Sequence, residues 1–172
     1  MDTFLALTRF VHIASGILWI GLLYYLNFVQ VPSFGRMDPA ARANAIMVLV
    51  PRAMLWFRYA ALATVLAGIT WFIAYGSHVT WDIYMDTARF KSIAVGGTLG
   101  MIMFLNVWLI IWPLWRKVIA AVTATIIQKT PAPPDQPKWS RKALLASRTN
   151  VVLSVPLIFF MVAAANLPSL WT

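Results

Sequence analysis

The sequence predicts an all-α integral membrane protein, a four-helix bundle with a short interfacial helix after its first span. Three observations predict it. Hydrophobic residues make up 61% of the 172 residues and charged residues 11%, against about 45–50% and about 25% in soluble domains. The apolar excess falls in four blocks, at about 5–31, 52–76, 91–115 and 145–167, each meeting the roughly 20 residues that a helix needs to cross the hydrocarbon. No block shows the alternation over about ten residues of a membrane β-strand, and backbone groups at that depth must be satisfied inside a helix or a closed barrel. Residues 1–172 therefore read as one transmembrane domain.

The first block continues from about Phe10 to Val31 without a small-residue cleavage site, so a span is expected and not a signal peptide. After it, Asp38-Pro39 places an N-cap residue before a proline at the first helical position, and AARANAIMVLV is expected to form the short interfacial helix. The second block is followed by GSHVTWDIYMDTARF, a polar loop with the aromatic residues of a headgroup boundary. The third block is the plainest, and Pro113 followed by Arg116-Lys117 is expected to stop it, with VIAAVTATIIQ extending the helix or lying along the interface. Residues 130–140 form a proline-rich connection without helix potential. Pro156 is expected to kink the fourth span, where neighbouring helices or Ser154 accommodate the freed carbonyl.

The net charge of +9 is concentrated beside the apolar blocks. Arg36, Arg42, Arg52, Arg116, Lys117, Lys129, Lys138, Arg141, Lys142 and Arg148 lie in or near the first and third connections, whereas Arg9, Arg89 and Lys91 lie on the other side. By the positive-inside rule both termini lie outside the cytoplasm. Contact with anionic lipid headgroups explains the charge, and no nucleic acid partner is expected. The chain has no cysteine, which excludes disulfides, iron–sulfur clusters and covalent attachment of c-type haem within these residues.

Polar residues inside the spans are the candidates for function. Arg9, His12, Gly16, Trp19, Leu23 and Asn27 recur every three or four residues and form one stripe on the first helix. Arg9 lies near the membrane edge and snorkels. His12, one turn deeper, is either a ligand to haem iron through a neutral imidazole or a hydrogen-bonding group between helices. His78 falls on the same side of the membrane, so ligation by both histidines is conceivable. Arg58 either snorkels or binds an anionic group such as a lipid phosphate or a haem propionate. Gly96 and Gly100 form a G-x-x-x-G step for close helix contact, and Asn106, Asn150 and Ser154 are expected to hydrogen-bond between helices. Trp56, Trp81, Trp112, Trp115, Trp139 and Trp171 fit aromatic belts. There is no glutamate, and the five aspartates lie near ends or loops, so a buried carboxylate relay is not supported. No hydrolase triad, phosphate-binding glycine loop or metal-ligand cluster is present in the pattern.

Three stretches, HIASGILWIGLLYYLNFVQ, FLNVWLIIWP and RKALLASRTNVVLSVPLIFFM, resemble the membrane domain of the cytochrome-c-type bacterial urate oxidases, and PRAMLWFRYAALATVLAG is a looser match. LASRTN before S-x-P-x-x-FFM is the most specific of these. The first stretch is also similar to the four-helix haem-binding protoporphyrinogen oxidases, in which a histidine early in the first helix is a haem ligand. The resemblance implies a redox setting in a bacterial inner membrane, with the termini on the periplasmic side and electrons passing to a c-type cytochrome. It makes His12 the candidate ligand of a b-type haem, and Asn106, Trp108, Arg148, Thr149 and Asn150 motif positions. The resemblance also implies a cytochrome c domain, which these residues do not contain, and a histidine where Ala53 stands; stand-alone catalysis is not expected.

Two readings result. One is an accessory subunit of a larger membrane oxidase or monooxygenase, in contact with other membrane subunits or with its own copies. The other is a redox protein that holds haem b through His12, and its propionate through Arg58, and delivers electrons to a separate cytochrome c.

Overall fold

The computed structural model describes residues 1–171. Four helices long and apolar enough to cross a membrane run over Asp2–Arg36, Pro39–Val79, Ala88–Ile127 and Gln136–Asn166; they are called the first to fourth helices below. A short helix, Trp81–Met85, joins the second to the third, and a final 3₁₀ turn covers Pro168–Trp171. No strand occurs among the described residues. The first helix packs along the second and the third along the fourth, and the far end of the third reaches both the second and the fourth.

Local signals start the helices. The Asp38 carboxylate accepts hydrogen bonds from the Ala40 and Ala41 N–H groups at 2.9 Å, satisfying two of the donors that a helix start leaves open. Thr87 caps the third helix through the Phe90 N–H at 3.1 Å. The break between the second helix and the short one falls at Thr80, whose φ of 82° cannot continue a right-handed helix.

Three boundaries differ from the sequence expectation. The segment AARANAIMVLV is not a separate interfacial helix but the first turns of a helix of 41 residues that passes through Pro51. Val50, Ala53, Met54 and Phe57 are all buried around that proline, so packing holds the helix together where one hydrogen bond is missing. Pro113 does not stop the third helix, which runs on to Ile127, so VIAAVTATIIQ extends it, one of the two arrangements the sequence allowed. The fourth helix begins at Gln136, inside the stretch expected to lack helix, because Pro137 occupies its first turn, where its missing N–H costs nothing.

Two prolines leave a further mark. Tyr25–Gln30 and Val107–Ile111 are π-helical, and each ends two residues before a proline, Pro32 or Pro113. The Val31 N–H reaches back to the Leu26 carbonyl and the Trp112 N–H to the Val107 carbonyl, both five residues away. A proline ring crowds the carbonyl four residues before it; widening the turn by one residue relieves that crowding. The core sits between these segments: Trp19, Leu23, Leu26, Met54, Phe57, Met103, Val107 and Ile111 form one buried cluster. Outside it the helices present apolar side chains outward, Ile17, Leu109 and Val152 among them, each about 70% exposed, as a lipid-facing surface requires.

Candidate functional site

The stripe on the first helix faces the bundle from His12 to Asn27, with Trp19 and Leu23 buried. Arg9 is exposed. His12 Nδ1 lies 2.8 Å from the Thr64 carbonyl oxygen of the second helix. A carbonyl only accepts, so Nδ1 supplies the hydrogen of that bond. The ring fits because position 68 is glycine: a Cβ there would stand 2.8 Å from Nδ1. Beside it, Thr64 Oγ1 lies 2.7 Å from the Ala60 carbonyl and 3.0 Å from Ser15 Oγ, and the Thr64 methyl group faces Gly16.

Toward the basic end the first helix meets the fourth. Tyr24 Oη and Ser154 Oγ are 2.9 Å apart, and Asn27 Nδ2 donates to Ser147 Oγ at 2.7 Å. Ser154 Oγ also donates to the Val151 carbonyl at 2.7 Å, one turn before Pro156. Between the third and fourth helices, Asn106 Nδ2 donates to Asn150 Oδ1 at 2.8 Å and to the Ala146 carbonyl at 2.9 Å, and Asn150 Nδ2 donates to the Met103 carbonyl at 3.1 Å. Gly96 faces Met161 and Phe160, and Gly100 faces Leu157, so the G-x-x-x-G step meets the fourth helix within one chain.

Arg58 lies against the third helix. Its guanidinium carbon is 4.0 Å from the centre of the Trp112 ring, 4.9 Å from Tyr59 and 5.8 Å from Trp108. Its Nε is buried and has no hydrogen-bond partner. The single ion pair among the described residues is Lys138–Asp135, so aromatic faces take the place of a carboxylate.

The candidates do not all converge. His12 lies between the first and second helices and Arg58 between the second and third. His78 is exposed and ten residues beyond Gly68, roughly 15 Å along the axis at the rise of a helix; the two histidines do not meet at one metal. No group of three or more His, Asp or Glu residues that could hold a metal ion occurs among the described residues. Of LASRTN, Ser147 and Asn150 turn inward, whereas Arg148 and Thr149 are exposed. The tryptophans expected in belts include contact residues: the Trp81 ring covers Gly76, Trp115 packs on the core, and Trp171 Nε1 donates to Ser92 Oγ at 2.7 Å.

Sequence reasoning missed Thr64, Ser15 and Ser147, which are single hydroxyls without a spacing pattern. It also missed Gln30, which is 2% exposed with neither amide atom partnered. Asn27 Oδ1, Trp19 Nε1 and Trp108 Nε1 are buried and unpartnered as well. Each such atom in a dry interior costs about 1–3 kcal/mol, and several lie on or beside the two π-helical segments.

A helical bundle with spanning helices and a polar seam between them defines a membrane protein. The urate oxidase N-terminal family matches residues 71–170, more than half of the chain. The chain belongs to that family. The matched part includes the third and fourth helices with Asn106 and Asn150; His12, Gln30 and Arg58 precede it. No curated protein and no solved structure matches the chain.

Proposed function

We propose that the chain is an accessory subunit of a larger oxidase or monooxygenase in a bacterial inner membrane. Family membership supports a redox setting. One observation carries the accessory role: two polar side chains of the first-helix stripe join helices, His12 to Thr64 and Asn27 to Ser147. The basic connections face the cytoplasm and the termini the periplasm, in a bilayer containing anionic lipid. Partners are other membrane subunits or further copies of the chain.

Extraction of native membranes in mild detergents, followed by native electrophoresis and mass spectrometry, tests this. The expected result is migration in an assembly that contains a redox subunit. Migration as the free chain in every detergent contradicts it.

A second reading has its own support. A hydrogen bond from Nδ1 to a backbone carbonyl is the outer-shell contact that orients most metal-binding histidines and leaves Nε2 to the metal; His12 has that contact. In this reading His12 holds b-type haem, which supplies one-electron chemistry when bound, and a c-type cytochrome takes the electrons. His12 would hold the group between the first and second helices, while Arg58 lies between the second and third.

A further inference from the structure

The basic end contains a cavity of about 520 Å³, walled by Phe34, Ile46, Trp115, Val118 and Val122 and rimmed by Arg42, Thr125 and the first turn of the fourth helix. We propose that it holds one anionic phospholipid, an acyl chain on the apolar wall and the phosphate at the rim. This is independent of the redox reading above.

Four observations point there. First, the wall is largely carbon and lies toward the ends of the long helices. A free anion gains nothing from such a wall, whereas an amphiphile buries its chain at about 25 cal/mol per Å². Second, Arg42 is exposed on the rim, and the one ion pair among the described residues is elsewhere. Third, Thr125 lines the cavity and its buried Oγ1 has no hydrogen-bond partner; turned toward the cavity, its hydrogen can be accepted by a phosphate or ester oxygen. Fourth, the fourth helix opens onto the cavity with Gln136 and Pro137 and no side-chain cap. Its N-cap residue, Asp135, bonds Lys138 at 2.9 Å instead, so the partial positive charge of that helix end stays available to an anion.

Two carboxylates oppose an anion here. Asp38 caps the second helix beside Pro39 of the rim, and Asp135 precedes the fourth helix. The ten Lys and Arg residues in or near the first and third connections outnumber them, so the field at the mouth remains positive. Basic pockets between helices at such an end are suited to acidic headgroups.

Native mass spectrometry of the full chain, delipidated and then supplied with phosphatidylglycerol or phosphatidylcholine, reads the site. The expected result is one retained phosphatidylglycerol per chain and no retained phosphatidylcholine. Arg42→Gln should reduce retention about tenfold, the loss of one charged hydrogen bond. Thr125→Leu should reduce it while the helical circular dichroism persists. Lys129→Gln makes the same charge change at the same end but off the cavity, and should leave retention unchanged. Equal loss in the Arg42 and Lys129 variants overturns the proposal in favour of diffuse surface charge. Equal retention of phosphatidylcholine, or displacement of the lipid by millimolar inorganic phosphate alone, also overturns it.

Discussion

His12 occupies the notch that Gly68 leaves on the second helix: a Cβ at position 68 would stand 2.8 Å from Nδ1 and 2.9 Å from Cε1 of the imidazole. The ring and its bond to Thr64 thus depend on a hydrogen atom one turn away. Gly68→Ala should displace the ring and destabilise the bundle by about 1–3 kcal/mol, the usual penalty for overpacking. Gly97→Ala, where nothing lies within 4 Å, should be neutral or stabilising through helix propensity. Thermal unfolding in one detergent checks both; equal behaviour of the two variants contradicts the notch.

The pair Asn106–Asn150 joins the third and fourth helices within the family-matched segment. A double-mutant cycle with alanine at each position should give a coupling of about 0.6 kcal/mol, with an upper range near 1.7 kcal/mol, as interhelical hydrogen bonds in membranes do. Reversible unfolding in mixed micelles measures it. A coupling of zero would mean that the carboxamides act separately.

Arg58 should not be replaceable by lysine. Its guanidinium carbon lies 4.0 Å from the centre of the Trp112 ring, and a compact, strongly hydrated ammonium group is a poorer partner for that ring face. Arg58→Lys should cost about 0.5–2 kcal/mol, and Trp112→Leu should then add little in the lysine background. Additive costs in the same unfolding assay would deny the contact.

Tyr84 lies in the short helix, outside the spans, among the rings of Phe72, Tyr75, Trp81 and Phe90. Burial pushes its hydroxyl up to about 12, Tyr75 adds to the shift and Arg89 opposes it. The folded state therefore holds this proton more tightly than the unfolded state does. That stabilisation is fully present below pH 10, the ordinary tyrosine value, and is lost as pH rises toward about 12. Near-ultraviolet titration should show a late tyrosine ionisation that Tyr84→Phe removes; ionisation of every tyrosine near pH 10 contradicts the burial.

The four spans and the start at Asp38-Pro39 were legible because composition and capping are local properties. The inward stripe from His12 to Asn27 was legible for the same reason. The passage of helix through Pro51 and Pro113 was not, because it depends on neighbours that pack around the missing hydrogen bond. Nor were the π-helical segments, which shift register by one residue in response to Pro32 and Pro113. Thr64 and Ser147 became partners only when the helices came together, and Gln30 became an unpartnered amide in the same way.

The proposed accessory role rests on His12 fastening the first helix to the second through Thr64 rather than ligating a haem. The absorption spectrum of the chain purified from haem-replete cells, beside that of His12→Ala, tests it most directly. The expected result is no Soret band in either protein and a lower unfolding temperature for the variant. A Soret band in the native chain that disappears in a still-folded His12→Ala would contradict it.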